Sequence, residues 1–271
     1  MVGTIKRAFY DSPSGQILYR YILTTKDAKR APVVFMHQSP SCGRCYELIM
    51  KEYAERGHDC YAPDMPGFGE SDDIDFMPES TRFYVDTLMG LYRHLKLPKM
   101  HLVGHHTGSA MAMEMGAIYP DEILTVCCSA PALASREEQK ALYAALHEEW
   151  SKPKADGSQL MRVWDIMKDY VIGDLETKVY EVLAACRSWK GRKQAYEVLF
   201  RQDKLTFFKQ ITCPLIAMCA EDDVVWPNFH YVQELQPNAR REVTSGDIFG
   251  SKNVEGTIAF YHVDFLDKMG A

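Results

Sequence analysis

The sequence predicts an α/β protein built on a doubly wound, mostly parallel sheet, and three observations carry that prediction. Short β-rich apolar runs alternate with helical stretches through the first half of the chain. One run, Met100 to Val103, passes into Gly104-His105-His106-Thr107-Gly108 and then into an apolar helix of small residues. From Ala132 to Lys209 the strand signals stop, and they resume at Pro214.

Taken in order, Gly15 to Leu23 alternate enough for an early strand, and Pro32 to His37 form a continuous apolar run that suits a buried parallel strand. That run ends in His37-Gln38-Ser39-Pro40. A helix over Tyr46–Arg56 and a strand over Asp59–Pro63 follow, and the strand opens into Asp64-Met65-Pro66-Gly67-Phe68-Gly69-Glu70-Ser71. Glu79-Ser80-Thr81 can start a helix carrying Tyr84, Leu88, Leu91, Tyr92 and Leu95 at helical spacing. The Gly104–Gly108 unit comes next, with its helix from Ser109 to Tyr119, then a strand from Ile123 to Ser129.

Helices are expected over 135–150, 159–170, 175–189 and 193–200. A strand at Leu215–Cys219, a helix, a strand at Ala239–Val243, a loop and a terminal helix complete the pattern. Residues 1–131 and 210–271 therefore read as one sheet-based core, with 132–209 inserted as a helical cap.

Composition narrows the function classes. Lysine and arginine number 31 against 37 acidic residues, giving a net charge of −6, and no basic run occurs. Nucleic acid and anionic membranes are poor partners for such a chain. No apolar run reaches membrane-spanning length, and the first fifteen residues lack the apolar region of a secretory signal. The eight cysteines fall mainly in apolar runs, where a thiol behaves as a small hydrophobe. The expectation is a reduced, cytoplasmic protein, with a homodimer admitted. Cys42-x-x-Cys45 has no second pair at zinc-like spacing and reads as two ordinary cysteines.

A strand, a sharp turn flanked by glycines and a helix make the frame of the nucleophile elbow, G-x-S-x-G. Its middle residue points into a pocket at the helix N-terminus, and here that residue is His106. The whole order of signals resembles the α/β-hydrolase superfamily. His37-Gln38-Ser39-Pro40 is similar to its H-G-x-P loop, with Gln38 replacing the glycine. Asp64 to Ser71 is similar to its D-x-P-G-x-G-x-S turn. Ala220-Glu221-Asp222-Asp223 resembles the segment that carries the acid, pointing to Asp223.

The resemblance implies a small, mostly apolar carbonyl substrate (ester, lactone or β-dicarbonyl) under a helical cap. It also implies an oxyanion hole from the N–H groups of Ser39 and Thr107. It places the family's catalytic histidine after the last strand, where Gly246 is followed by Asp247 instead. The frame looks like a variant subset with an H-H-T-G elbow.

No serine relay is possible with these residues. The leading reading makes His106 a general base or acid, oriented by Asp223 or Asp247. Water activated by His106 would attack a carbonyl held by Ser39 and Thr107, giving hydrolysis. C–C cleavage or decarboxylation by the same groups, as a lyase, is a related reading. Gln38 touches a substrate oxygen or caps its loop, and Trp164, with Trp150 and Trp189, lines the cavity or forms cap core. His105 has a structural role, and His262, on a face with Ile258, Tyr261 and Phe265, reads as a core histidine. Adjacent histidines are expected to diverge, so no metal is called for, and no dinucleotide or phosphate motif implies a cofactor. The alternative class is a non-catalytic receptor or partner-binding protein on the same fold.

Overall fold

Residues 3–27, 29–168, 174–245 and 258–270 are described by the structure, a computed structural model. One sheet contains β1 (Lys6–Ser12), β2 (Gly15–Ile22), β3 (Arg30–Met36), β4 (His58–Pro63), β5 (Met100–His105), β6 (Ile123–Ser129), β7 (Leu215–Ala220) and β8 (Arg240–Thr244). Its order is β1-β2-β4-β3-β5-β6-β7-β8. Pairings involving β2 are antiparallel, and β4 through β8 run parallel.

The chain steps outward from β3 to β4 and then returns to place β5 on the other side of β3. The loops after β3 and β5 therefore leave the same sheet edge at a topological switch point. In open α/β sheets this crevice is where ligands bind.

Both faces of the sheet are covered, which explains the continuous apolar strands. Along β3, Val34 and Met36 point to one core and Val33 and Phe35 to the other, all fully buried. The first core packs α2 (Arg82–His94), α3 (Thr107–Ile118) and α8 (Lys204–Gln210). The second packs α1 (Glu47–Glu55) and α10 (Ile258–Met269). Burying each such aliphatic or aromatic side chain contributes roughly 1.5–3 kcal/mol before entropy is counted.

Between β6 and β7 lie α4 (Arg136–Leu146), α5 (Ser158–Met167), α6 (Leu175–Arg187), α7 (Trp189–Leu199) and α8, with no strand among the described residues. A short α9 (Tyr231–Leu235) precedes β8. No helix among the described residues is long and apolar enough to cross a membrane.

Several boundaries move. Strand β1 was not expected, because KRAFYDS is an edge strand with polar residues and shows no clean alternation. Helix α4 starts behind Ser135, whose hydroxyl and Glu138 form a capping box, but ends at Leu146 instead of Trp150. Thr81 precedes α2 without capping it, because its hydroxyl donates to the buried Glu114 carboxylate at 2.5 Å. Helix α8 straddles the expected 209/210 boundary, since Phe208 and Ile211 pack into the first core.

Candidate active site

The elbow is built by backbone crowding. A Cβ at Gly104 would collide with the Gly108 carbonyl, and one at Gly108 with the Met36 carbonyl at the end of β3. Between these glycines His106 takes φ 46° and ψ −109°, a conformation that side-chain-bearing residues rarely adopt. Its N–H donates to the Ser129 carbonyl at 3.0 Å, and its carbonyl accepts the Ala110 N–H at 3.1 Å as α3 begins.

The His106 ring reaches across the sheet edge to the turn after β7, where its Nε2 lies 3.0 Å from Asp223 Oδ2. The other carboxylate oxygen, Oδ1, accepts the Val225 N–H at 3.0 Å. Burial works to raise the Asp223 carboxyl. The hydrogen bond and charge of the His106 ring, followed by the Val225 N–H, override it and hold the group at about 2. An ionised Asp223 is an acceptor only, so the shared proton belongs on Nε2, which puts the lone pair of the neutral ring on Nδ1. The His106 side chain keeps 26% of its surface exposed, which leaves it reachable.

His105 is buried, its Nδ1 sharing a hydrogen bond with Ser129 Oγ at 2.9 Å. Burial first, and then His106, push it well below the ordinary imidazole range. The expectation that the adjacent histidines diverge is overturned. Their rings meet edge to face with centroids 4.4 Å apart, because the positive φ of His106 turns its ring back onto its neighbour. His105, His106 and Asp223 each offer a ligand atom within 4.8 Å of the others. Two imidazoles and a carboxylate suit a divalent transition metal, although one held there would have to replace the His106–Asp223 hydrogen bond.

Ser39 and Thr107 are brought together: the Ser39 N–H donates to Thr107 Oγ1 at a long 3.4 Å. Gln38 is half-buried, and its Oε1, like Ser39 Oγ, is buried with no hydrogen-bond partner among the described residues. Trp164 is half-buried on α5, with no described ring contact to the His106–Asp223 pair. Trp150 and Trp189 carry the cations of Arg192 and Lys190 at 4.8 and 5.5 Å. Asp247 lies outside the described residues.

Two pieces of supporting architecture escaped sequence reasoning. His37, fully buried, donates from Nδ1 to the Gln38 carbonyl at 2.8 Å and accepts the Met65 N–H on Nε2 at 2.9 Å. It thus ties the loop after β3 to the turn after β4. That turn is held in its own right by Asp64, which accepts from Gly43 N–H (2.7 Å), Arg20 Nη1 (2.8 Å) and Glu70 N–H (2.9 Å). Glu181 on α6 reaches the same region through Ser41. Its signal was a lone carboxylate inside the apolar stretch Val179 to Ala185.

Comparison with known proteins agrees with this architecture. The family model described as serine aminopeptidase, S33, matches residues 27–230. A haloalkane dehalogenase from Mycolicibacterium paratuberculosis is 28% identical over 116 residues, 42% of this chain and 38% of that protein. A proline iminopeptidase from Lactobacillus helveticus is 28% identical over 145 residues, 50% of this chain and 49% of that protein. The matches thus span two fifths to half the length of these relatives. A membrane phospholipase A described as a bacterial virulence factor superposes with a TM-score of 0.79 at 14% identity, over 98% of this chain and 87% of that one. At that identity the likeness shows the fold alone. The chain therefore belongs to the serine aminopeptidase S33 family of the α/β-hydrolase superfamily.

Proposed function

We propose that this chain is a cofactor-independent enzyme acting on a small, largely apolar carbonyl compound, with His106 as general base and acid. The observation that carries the reading is the 3.0 Å contact between His106 Nε2 and Asp223 at the elbow. An imidazole held this way has its lone pair on Nδ1. It can take a proton from water as the water oxygen bonds to the substrate carbonyl carbon. The resulting oxyanion is received by the Thr107 and Ser39 N–H groups, the latter leaving its long contact with Thr107 Oγ1. As the tetrahedral adduct collapses, the proton passes from His106 to the leaving group. With a β-dicarbonyl substrate the departing carbon leaves as an enolate and takes the same proton.

Helices α4 to α7 serve in this reading as a cap over the crevice, with Trp164 among its apolar side chains. Gln38, whose buried Oε1 has no described partner, contacts a donor on the substrate. Location in the cytoplasm and the absence of nucleic-acid and membrane partners belong to the same proposal. A small-molecule receptor is the second reading, favoured by the engagement of the Ser39 N–H with Thr107 Oγ1.

Turnover of an ester and β-diketone panel by wild type, His106→Ala and His106→Ser tests the enzyme reading. The alanine variant should lose roughly two to four decades of rate, the usual worth of positioned acid–base catalysis. Serine should not restore it, since His105, the imidazole beside it, is buried and bonded to Ser129 Oγ. Full turnover by His106→Ala, or a serine variant faster than wild type, would sink the proposal.

A further inference from the structure

Helix α6 lies with one face along the loop that follows β3. Two polar contacts, two helical turns apart, fasten it there. Ser41 Oγ donates to Glu181 Oε1 at 3.0 Å, and Ser188 Oγ lies 3.0 Å from the Pro40 carbonyl and 2.9 Å from that of Ala184. Between them Ala184 and Ala185 are buried and small, which lets the helix backbone approach closely. Pro40 and Ser41 immediately follow Ser39, so α6 grips the chain one and two residues from a proposed oxyanion donor.

We propose that Glu181 is a positioning residue: through Ser41 it holds the loop carrying the Ser39 amide, so the aim of that amide depends on α6 being seated. The functional consequence rests on the catalytic reading above, whereas the grip itself does not.

The chemistry of the contact makes it sensitive to the charge on Glu181. Burial pushes the carboxyl up to about 7, against the Ser41 hydrogen bond and Arg44, which favour the ionised form. Arg44 is drawn outward: its guanidinium sits 3.2 Å above the Tyr180 ring and reaches Glu176 at 4.0 Å. The other groups facing the carboxyl are the buried thiols of Cys42 and Cys45, with the Asp64–Arg20 pair behind them. On α6 itself the flanking charges are Glu176, Lys178 and Arg187. Because burial outweighs the Ser41 hydrogen bond and Arg44, a neutral Glu181 fits this setting and an ionised one carries a desolvation cost in it. The grip therefore tightens below neutrality and loosens as pH rises through it.

Hydrogen–deuterium exchange of peptides covering residues 37–46, corrected for intrinsic rates between pH 5.5 and 9, reads the grip without any substrate. The wild type should lose about tenfold protection across neutrality. Glu181→Gln, which keeps an acceptor for Ser41 without a titrating group, should show none of that loss. Ser41→Ala and Glu181→Ala should be unprotected throughout, and Ser41→Ala serves alone if the other does not fold. On a turned-over substrate, Glu181→Ala should lower kcat about tenfold with a smaller effect on KM, and Glu181→Gln should restore it. Identical exchange of wild type and Glu181→Gln at every pH, or wild-type protection in Ser41→Ala, overturns the proposal. If the loop follows Glu181 while His106→Ala keeps full turnover, the grip stands and the catalytic reading is what fails.

Discussion

Strand β5 carries histidines near both ends, and they live in opposite surroundings. Near its start, His101 is 1% exposed, and its Nδ1 pairs with the Thr125 hydroxyl on β6 at 2.9 Å. The ring sits 5.8 Å from that of His58, and His262 from α10 approaches the same pair, its Nδ1 meeting the Tyr53 hydroxyl at 2.8 Å. At the other end, about 15 Å away by strand rise, His106 keeps a quarter of its side chain open and faces a carboxylate. The first group has hydroxyls, a carbonyl and one another for neighbours. Burial pushes His101 down to about 4 and His262 well below the ordinary range, with the histidine neighbours pushing the same way. The comparison shows that an imidazole becomes a candidate for proton transfer through its partner and its access to solvent. Residue type and proximity to other histidines are not enough.

The largest effect should come from severing the carboxylate at the open end. Asp223→Asn leaves the ring a neighbour that no longer fixes its proton on Nε2, and turnover should fall by roughly two to four decades. His101→Gln should leave turnover within a few-fold. Equal losses in the two variants, measured as kcat on one substrate, would erase the distinction drawn here.

Acid should act on the buried histidines in preference. In the unfolded chain they take up protons as pH falls below about 6.5, whereas His37 and His101 do so in the fold only near about 4. The unfolded state binds more protons in that window. Their contribution is therefore complete above the unfolded value and is lost as pH falls towards 4, by about 2–3 kcal/mol for each group. Urea unfolding at pH 7.5 and 4.5 measures this directly, and equal stabilities would refute it. Asp223 follows the same sign in a more acid window: its carboxyl, held at about 2, adds stability that is complete above the ordinary carboxylate value and is lost as pH falls through about 2.

A smaller loss, confined to the closed end, is expected from Tyr53→Phe. Removing the hydroxyl leaves His262 Nδ1 buried without its partner, at a cost of about 1–3 kcal/mol. Turnover should not change, and a catalytic defect in this variant would mean that the two ends communicate. The smallest signal is spectroscopic. Nitrogen chemical shifts of the neutral His106 ring should report the Nε2–H form, and the Nδ1–H form would reverse the assignment of the basic nitrogen.

Much of the frame was legible because local pattern and tertiary demand agree. Central strands buried on both faces read as apolar runs, and the glycines at 104 and 108 announce a backbone collision that only they avoid. A carboxylate within reach of the long imidazole at 106 was legible only as Asp223 or Asp247; the contact with Asp223 is present, and Asp247 lies outside the described residues. The roles of His37, Glu181 and Ser41 were not. Each depends on segments distant in sequence coming together, 140 residues apart for Ser41 and Glu181. Strand β1 was hidden for another reason: at an edge, pairing by backbone hydrogen bonds tolerates polar side chains on both faces. Short α8 lacks the length that makes helical periodicity visible.

The glycine pair at the elbow has a consequence for how such a chain can change. Because Gly104 and Gly108 set the turn through main-chain contacts with each other and with the end of β3, and residue 106 joins that fit through its backbone bonds to Ser129 and Ala110, the turn is shaped without the side chain at 106. Position 106 is a socket. A different side chain can be installed there without rebuilding strand, turn or helix, and its chemistry is then chosen by whatever the surrounding loops present. Reactivity in this frame can thus be rewritten one residue at a time while the scaffold is inherited unaltered.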